Sequence, residues 1–358
     1  MGSVCASQSA ANVVGAVESK SAPKEDHDDE IHDNDVEDDP QDEPATLRLL
    51  LLGAAESGKT TLLEQIRMLY NQEFSEMELF HRKSFIYANI VHSMKCILAF
   101  MKKENIDFAE NINKDHADIV MTRLENHYCP FNEEQYRAID TLWKDTNVQV
   151  AYNRRGEYNL NDSAKYFFEN LPRINNVDFQ PTPQDLIMTY VPTIGVQNVI
   201  FAAKSQSFQL FDMGGQKIDR RKWATMYDGI DAIFFCMAIS EYDQMMIEDQ
   251  STNRLQDSLY LLEKISSEPK FLSTPIFLFL NETDVFYEKL KRVPLAKYIT
   301  DFAGSTDKEA LQCVEAKARE RCCKHQGNMY VYYTCAINQA EMAKTLDKVF
   351  KKLLKEVR

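Results

Sequence analysis

The first residues whose types and spacing could do chemistry form the segment GAAESGKT, from Gly53 to Thr60, which fits the pattern GxxxxGK[ST]. The segment follows the apolar run LRLLLLG and precedes the helical pattern TTLLEQIRMLY. In this context the backbone N–H groups of the loop wrap phosphate groups, the lysine reaches their outer oxygens, and the last hydroxyl coordinates Mg²⁺. The predicted phosphate-binding residues in this loop are Glu56, Ser57, Gly58, Lys59, Thr60 and Thr61.

A second motif, DxxG, ends the strand-like run SFQLFD. It covers Asp212, Met213, Gly214 and Gly215 and is followed by Gln216. At the end of a strand beside a phosphate loop, Asp212 is expected to hold Mg²⁺ through water, and the Gly215 N–H is expected to meet a γ-phosphate. Gly215 therefore joins the predicted phosphate-binding residues.

A third motif follows the apolar run PIFLFL and consists of Asn281, Glu282, Thr283 and Asp284. An aspartate at this place can accept hydrogen bonds from both N1–H and N2–H₂ of guanine. Adenine offers no such pair and would leave the buried carboxylate unpaired. Ala336, in the TCA sequence after the last apolar run, would add a backbone N–H for the guanine O6. The order of the motifs and their positions at strand ends predict a guanine-nucleotide site.

The elements that must position these motifs alternate between apolar runs and helical periodicity. Helical spacing is found at 254–265, 308–324 and 340–357. Strand alternating with helix predicts a mostly parallel sheet that is covered by helices on both faces. The predicted strands are LRLLLLG, NVIFAAKSQ, SFQLFD, DAIFFCMAIS, PIFLFLNETD and MYVYYTCAI.

The stretch from about Leu69 to Asp185 differs, because it contains one glycine and no strand-like run. Its segment 85–103, FIYANIVHSMKCILAFMKK, repeats apolar residues at three- and four-residue steps, which is typical of a helix with one buried face. We therefore predict an α/β domain, 46–69 and 186–358, with an all-helical domain, 70–185, inserted into it.

The chain has 358 residues and a formal net charge of −14, which is concentrated near its start. Residues 25–43 hold twelve carboxylates and no lysine or arginine, so the rest is nearly neutral. This composition predicts a disordered acidic segment over residues 1–45, either a solvated tail or an interaction segment for basic surfaces. Nucleic-acid binding is disfavoured, because the sequence has no basic stripe. Neither a signal peptide nor a run of 18 apolar residues is found, which predicts a cytoplasmic protein.

Together these motifs resemble those of heterotrimeric G-protein α subunits, from about residue 46 to residue 357. The resemblance implies an α/β fold, namely a Ras-like P-loop GTPase domain with a parallel sheet and an inserted all-helical domain over the nucleotide. It also implies GTP or GDP as ligand, Mg²⁺ as cofactor, and a βγ dimer and a seven-helix receptor as partners. The 133 positions between Thr60 and Thr193 agree with such an insertion, since simple loops are far shorter. The similar strings are GAAESGKTT, SAKYFFENLPRI, PTPQDLIMTYVPTIG, FDMGGQKIDRRKW, NETD and TCAI.

The resemblance assigns further roles by position. Gln216 matches the catalytic glutamine that orients the attacking water, and Thr193 matches the threonine that binds Mg²⁺ together with Thr60 in the GTP state. Trp223 matches a residue that repacks when GTP binds, although it is equally well explained as a buried aromatic. The segment that matches switch II is 212–216. The segment that matches switch I consists of Ile187, Met188, Thr189, Tyr190, Val191, Pro192 and Thr193.

Three positions in the site depart from the family pattern. Tyr190 stands where the family has its catalytic arginine, and a neutral phenol offers one hydrogen-bond donor where a guanidinium offers five. Ala55 replaces a glycine, so its methyl group is expected to crowd Gln216. Glu282 replaces a lysine whose stem packs on the guanine ring, which predicts weaker nucleotide affinity. GTP hydrolysis is therefore expected to be slow.

The two ends of the chain also depart from the family pattern. The last helix stops before the family's receptor-reading tail would finish, and the acidic segment stands in place of the N-terminal helix that contacts the βγ dimer. Gly2 and Cys5 match positions of myristoylation and palmitoylation, but Ala6 stands where the myristoylation pattern has Ser or Thr. Lipidation would place the protein at the inner face of the plasma membrane, whose anionic surface would repel the acidic segment.

Two functions of different classes remain open. The first is a G-protein α subunit that transduces receptor signals by GDP/GTP exchange and slow GTP hydrolysis. The alternative is a nucleotide-binding pseudo-GTPase or scaffold without significant hydrolysis, suggested by Tyr190, Ala55 and Glu282 together. A P-loop kinase or ATPase is disfavoured, because Asp284 and the DxxGQ sequence have no place in one.

Overall fold

Six apolar runs form the strands of one sheet, with the order β2-β3-β1-β4-β5-β6. All neighbouring strands run parallel except β2 and β3, so the predicted mostly parallel sheet is confirmed. The computed structural model describes residues 45–72, 74–124, 129–193 and 195–357. The predicted acidic segment up to residue 44 and the lipidation positions Gly2 and Cys5 lie outside these ranges. The strands are β1 (Leu47–Gly53), β2 (Val196–Ala203), β3 (Gln206–Met213), β4 (Ala232–Ala238), β5 (Ile276–Asn281) and β6 (Met329–Tyr333).

The edge strand β2 is antiparallel to β3 because a tight turn joins them. Lys204 and Ser205 form this turn, and their φ angles are both positive, 53° and 60°. Two consecutive residues with positive φ give the turn whose twist matches antiparallel neighbours. No asparagine or glycine marks the turn in the sequence, so its geometry was not predicted.

Alternation along β1 divides the hydrophobic core between the two faces of the sheet. Leu49 and Leu51 pack on one face with residues of the first and last helices. Leu50 and Leu52 pack on the other face with residues of the three helices Arg254–Ser266, Thr283–Leu290 and Asp307–Arg321. Because side chains alternate along a strand, a continuous leucine run fills both layers. The helices around the sheet are α1 (Lys59–Leu69), α9 (Arg254–Ser266), α10 (Thr283–Leu290), α11 (Asp307–Arg321) and α12 (Gln339–Glu356).

Helices between α1 and β2 enclose a separate hydrophobic cluster. The long helix α2 carries the apolar residues predicted at three- and four-residue steps, and Ile90, Met94 and Ile97 are fully buried there. By length and composition α2 could cross a membrane, but 56% of its apolar window is buried, as in a core helix. These helices are α2 (Glu76–Lys103), α3 (Asn113–Asp118), α4 (Glu133–Lys144), α5 (Thr146–Asn153), α6 (Ala164–Glu169), α7 (Leu171–Ile174) and α8 (Pro183–Met188).

The parallel strands bring the three motifs to one edge of the sheet. Gly53 ends β1, Met213 ends β3 and Asn281 ends β5, and the carboxyl ends of these strands point the same way. In open α/β sheets this edge is where ligands bind. A cavity of about 420 Å³ lies there, lined by residues of the sheet edge and of the helices between α1 and β2.

Candidate nucleotide-binding site

The loop between β1 and α1 depends on two glycines at points of close approach. A Cβ on Gly53 would lie 2.2 Å from the carbonyl oxygen of Cys236, and one on Gly58 would lie 2.1 Å from Nδ2 of Asn281. Gly58 also has a φ of +87°, which side chains rarely adopt. The pattern GxxxxGK[ST] therefore has a structural cause here, since both glycines let the loop pack tightly beneath the cavity.

Lys59 begins α1 and is only 5% exposed. Its Nζ donates a hydrogen bond to the carbonyl oxygen of Ala54 at 2.6 Å. Burial lowers the pKa of Lys59, while the nearby Asp212 carboxylate acts in the opposite direction. The ammonium group thus lines the cavity, bonds to the carbonyl oxygen of Ala54 in the loop, and has the Asp212 carboxylate as its counter-charge.

Three oxygen-bearing side chains meet beside Lys59. The hydroxyl oxygens of Thr60 and Thr193 are 2.8 Å apart. Both hydroxyls reach Oδ2 of Asp212, at 3.0 Å from Thr60 and 3.3 Å from Thr193. Oδ1 of Asp212 is buried and has no hydrogen-bond partner among the described residues. Hydroxyl and carboxylate oxygens are ligands that Mg²⁺ prefers, so the residues present fit this ion.

Burial raises the pKa of Asp212, and the Lys59 ammonium and the two threonine hydroxyls oppose that shift. Within the described ranges, no group of three or more His, Cys, Asp or Glu side chains could hold a metal ion. A metal in this cavity would therefore depend on the two hydroxyls as much as on the carboxylate.

The segment after β3 lies directly against the loop. A Cβ on Gly215 would come within 2.6 Å of the backbone of Ala54 and Ala55, so only glycine fits. Arg220 donates from Nε to the carbonyl oxygen of Gly215 at 2.9 Å and pairs with Asp257 at 2.7 Å. Gln216 is exposed and lines the cavity.

Trp223 also fastens this segment. Its side chain is 2% exposed, and its Nε1 donates a hydrogen bond to the carbonyl oxygen of Gly214 at 2.9 Å. It is therefore a buried aromatic that contacts the DxxG motif, and its repacking when GTP binds stays a prediction.

The segment predicted as switch I lines the cavity with all of its residues from Ile187 to Thr193. Asn89 of α2 holds its backbone, because Oδ1 of Asn89 accepts from the N–H of Tyr190 at 2.7 Å and Nδ2 donates to the carbonyl oxygen of Tyr190 at 3.0 Å. Thr189 is turned inward, and its hydroxyl donates to the carbonyl oxygen of Asp185 at 2.5 Å. The partly buried Met188 packs against the core of the helical segment.

The Tyr190 side chain brings no positive charge to the cavity. Burial and the nearby Glu56 carboxylate raise the pKa of Tyr190 to about 12, so its phenol is neutral at physiological pH. The neighbouring cation Arg254 is held elsewhere: its guanidinium pairs with Glu56 at 2.8 Å and with Glu241 at 2.5 Å. It also donates to the carbonyl oxygen of Ala55 at 3.1 Å.

Asn281 ties the third motif to the phosphate loop. Its Nδ2 donates to the carbonyl oxygen of Ser57 at 3.2 Å. Its Oδ1 accepts from the hydroxyl of Thr334 at 3.1 Å and from the N–H of Ala336 at 3.0 Å. The Ala336 N–H, which the sequence assigned to guanine O6, is thus bonded to Asn281 in this structure. Asn281 therefore holds the loop and the TCA sequence together at one end of the cavity.

The remaining residues of the third motif differ in their surroundings. Asp284 lines the cavity, and the hydroxyl of Thr283 donates to the carbonyl oxygen of Thr334 at 3.2 Å. The Glu282 carboxylate accepts a hydrogen bond from the Ser240 hydroxyl. Burial, followed by the carboxylates of Glu241 and Asp162, raises the pKa of Glu282 well above its usual range. Glu282 therefore contributes a half-buried acidic group where the cavity already has others.

Several contacts of the site were not predicted from the sequence. They are Asn89 on Tyr190, Arg220 on Gly215, Arg254 on Glu56, and Arg155 on residues at both sides of the cavity. Each joins residues that are at least five positions apart without a shared motif. For the three arginines, the sequence shows a cation in a chain that has many carboxylates, but it does not identify the partner of each arginine.

Comparison with known proteins gives concordant results. A family model described as "G-protein alpha subunit" matches residues 25–353. "Guanine nucleotide-binding protein alpha-13 subunit" of Caenorhabditis briggsae is 55% identical over 313 residues, which cover 87% of this chain and 90% of that protein. Its namesake in Caenorhabditis elegans is 53% identical over 316 residues, covering 88% and 91%. "Guanine nucleotide-binding protein G(o) subunit alpha" of Locusta migratoria is 38% identical over 307 residues, covering 85% and 86%.

Proposed function

The chain belongs to the G-protein α-subunit family, whose members are guanine-nucleotide-binding signal transducers and GTPases, and we propose that it hydrolyses GTP slowly in the cavity beside the phosphate loop. These similarities do not favour a nucleotide-binding scaffold as the alternative.

The observation that carries the proposal is the meeting of Thr60, Thr193 and Asp212. Their oxygens suit Mg²⁺, and an Mg²⁺ ion there would neutralise charge on the phosphate oxygens of GTP. Lys59 would bind the outer phosphates, and the Gly215 N–H would bind the γ-phosphate. Loss of that phosphate would free Thr193 and Gly215, which belong to two different segments, and this is how hydrolysis would switch the conformation.

Gln216 is proposed as the catalytic residue. It is exposed in the same cavity and adjoins Gly215, so it can orient a water for attack on the γ-phosphate. Such positioning leaves the developing charge on the γ-phosphate to be stabilised by a cation. Tyr190 supplies none, and Arg254 is engaged by Glu56 and Glu241. Slow hydrolysis follows from this absence.

Ala55 is proposed to slow the reaction further. Its backbone N lies within 2.6 Å of the place where a Cβ on Gly215 would stand, and it lines both the large cavity and a smaller one that contains Gln216 and Tyr190. A methyl group at this position reduces the room in which Gln216 can place a water. Ala55 and Tyr190 would therefore act on the same step.

The base would be read by Asp284, and Asn281 would keep the phosphate loop and the base-binding loop in register. Glu282 is proposed to weaken affinity, because its half-buried carboxylate faces Glu241 and Asp162. The family implies a βγ dimer and a receptor as partners, and location in the cytoplasm, often at the membrane. Lipidation at Gly2 and Cys5 remains a proposal of the sequence.

Hydrogen–deuterium exchange tests this function directly. The full chain would be compared with bound GDP and with a non-hydrolysable GTP analogue, both in the presence of Mg²⁺. Peptides covering 187–193 and 212–216 should be more strongly protected with the analogue, while a peptide from α11 should exchange equally in both. Equal protection of the two switch peptides would contradict the proposal.

A further inference from the structure

Arg155 is a buried cation that bonds to both walls of the cavity. Its side chain is 5% exposed and lies in the short helical turn Arg155–Tyr158 that follows α5. Nε donates to Oδ1 of Asp162 at 3.0 Å, on the helical side. Nη2 donates to Oε1 of Glu288 at 3.2 Å, in α10 on the sheet side. A single guanidinium thus joins the helical segment to the helix that carries the base-reading motif.

The guanidinium is also fixed in place by an aromatic ring. Its central carbon lies 4.8 Å from the ring centre of Tyr152, within cation–π range. At another end of the cavity Arg82 of α2 pairs with Glu64 of α1, whereas two described contacts near Arg155 join the same two sides through neutral acceptors. Asn159 donates to the carbonyl oxygen of Met245 at 2.8 Å, and Arg292 donates to Asn153 at 3.3 Å. Arg155 is therefore distinguished by pairing with a carboxylate on each side.

The charges that face each other across this end of the cavity are mostly negative. Asp162 is a carboxylate of the helical side, and burial together with the charge of Asp284 raises its pKa, against the effect of Arg155 and Lys289. Glu282 faces it from the sheet side. Carboxylates that approach each other in a buried site repel. A cation between Asp162 and the sheet side therefore offsets this repulsion when the two walls lie together.

Lys289 is the other buried cation near this place, but its hydrogen bonds stay on the sheet side. Its Nζ donates to the carbonyl oxygen of Ser240 at 2.9 Å and to Oδ1 of Asp243 at 2.7 Å. Gly156, which follows Arg155, packs against this pair, since a Cβ there would lie 3.0 Å from Oδ2 of Asp243. The helical turn thus packs against the Lys289–Asp243 ion pair, and among the residues that the structure describes Arg155 is the one that bonds both Asp162 and Glu288.

We propose that Arg155 is a positioning residue that clamps the helical segment over the nucleotide and thereby sets the rate of nucleotide release. The proposal rests on the proposed function, because it takes the cavity to be the guanine-nucleotide site. A bound nucleotide lies between the two walls and leaves when they separate. Without the guanidinium, Asp162 loses its hydrogen bond and counter-charge while Glu282 and Asp284 still face it, so separation becomes easier.

The test measures dissociation of a fluorescent GDP from the full chain after an excess of unlabelled GDP is added. In Arg155→Met the long side chain remains but its charge and donors are lost, and release should be at least about tenfold faster, since hydrogen bonds to two charged groups are lost from a guanidinium that is 5% exposed. Arg154→Met is the matched control, because Arg154 pairs with Glu104 and Glu157 within the helical segment. Its release rate should stay within about twofold of wild type.

Two further variants separate clamping from general damage to the fold. Glu288 is 54% exposed, so Glu288→Gln keeps the fold and should speed release by about threefold. Asp162→Asn added to Arg155→Met removes the unpaired carboxylate and should slow GDP release most of the way back to the wild-type rate. Two independent structural defects would not compensate each other in this way.

The outcomes are distinguishable. Unchanged release in both Arg155→Met and Glu288→Gln would overturn the clamp while leaving the proposed function intact. Equal acceleration in Arg154→Met, or further acceleration when Asp162→Asn is added, would also overturn it, because general loosening would then explain the data. A wild-type chain that fails to retain GDP would refute the proposed function itself and the clamp with it.

Discussion

The hydroxyl oxygens of Thr60 and Thr193 are 2.8 Å apart, although 133 positions separate the two residues in the chain. Thr60 belongs to the first turn of α1, and Thr193 lies between α8 and β2, after the whole helical segment. Asp212 at the end of β3 accepts hydrogen bonds from both hydroxyls. The residues proposed to hold Mg²⁺ therefore come from three separate elements, and loss of order in any one of them would open the site.

Lys59→Ala should weaken GTP binding by at least about tenfold, because a hydrogen bond to a charged group contributes about 1.5–3 kcal/mol. The fold should persist, since the substitution also removes a buried cation that desolvation disfavours. Isothermal titration with GTP and Mg²⁺ measures the effect. Lys270→Ala is the matched control, because Lys270 is half-exposed and pairs with Asp228 away from the cavity. Equal affinity in both variants would contradict the phosphate-loop assignment.

Asp284→Asn should change the nucleotide preference of the site from GTP to xanthosine triphosphate. The amide restores a matching donor and acceptor for xanthine, whereas guanine loses a hydrogen bond to a charged group. Competition binding with the two nucleotides gives the ratio of affinities. Asp307→Asn, in the exposed first turn of α11, controls for the loss of one charge. If Asp284→Asn loses both nucleotides equally, Asp284 does not read the base.

Glu282→Lys should tighten GDP binding by about tenfold. The substitution removes a half-buried carboxylate that faces Glu241 and Asp162, and it provides a long stem that can pack on the guanine ring. The dissociation constant for fluorescent GDP is the measurement. Glu320→Lys makes the same change of charge on the exposed side of α11 and should leave the constant unchanged. Weaker binding by Glu282→Lys would show that the acidic side chain supports the site.

Deletion of residues 1–44 should leave GTP affinity within about threefold of the full chain, because the twelve carboxylates of 25–43 lie outside every nucleotide motif. Side-by-side titrations of the full and shortened chains at one ionic strength provide the comparison. A larger loss of affinity would show that the acidic segment takes part in nucleotide binding.

The strands and the motifs at their ends could be predicted from the sequence because buried parallel strands are short apolar runs with no other local explanation. LRLLLLG forms β1, and its four central leucines fill both faces of the sheet. The buried face of α2 could likewise be predicted from apolar residues at three- and four-residue steps. These patterns are local, and the fold does not override them.

Contacts that depend on the relative placement of distant elements could not be predicted in the same way. Asn89 bonds the backbone of Tyr190, 101 positions later, and Arg155 bonds Glu288, 133 positions later. Neither pair has a spacing or a residue type that marks it, because α2, α10 and the turn after α5 meet only once the helices are packed. The strand β2 was predicted, but its antiparallel direction was not: the turn after it is local, yet Lys204 and Ser205 are unusual residues for positive φ.

Tyr190 brings no cation to the γ-phosphate beyond those proposed from Lys59 and Mg²⁺. Tyr190→Arg should raise the rate of GTP hydrolysis by at least about tenfold, a difference of about 1.4 kcal/mol in the barrier. Tyr190→Phe should remain within about twofold of wild type, because the neutral phenol contributes little charge. Ala55→Gly combined with Tyr190→Arg should be faster than Tyr190→Arg alone, since the glycine gives Gln216 room.

Single-turnover hydrolysis of [γ-³²P]GTP, pre-bound to the full chain and started with Mg²⁺, measures this step without interference from nucleotide exchange. Phosphate release should be slow in wild type and in Tyr190→Phe, faster in Tyr190→Arg, and fastest in the double variant. If wild type and both arginine variants release phosphate at the same rate, another group already stabilises the transition state and the assignment of Tyr190 is wrong.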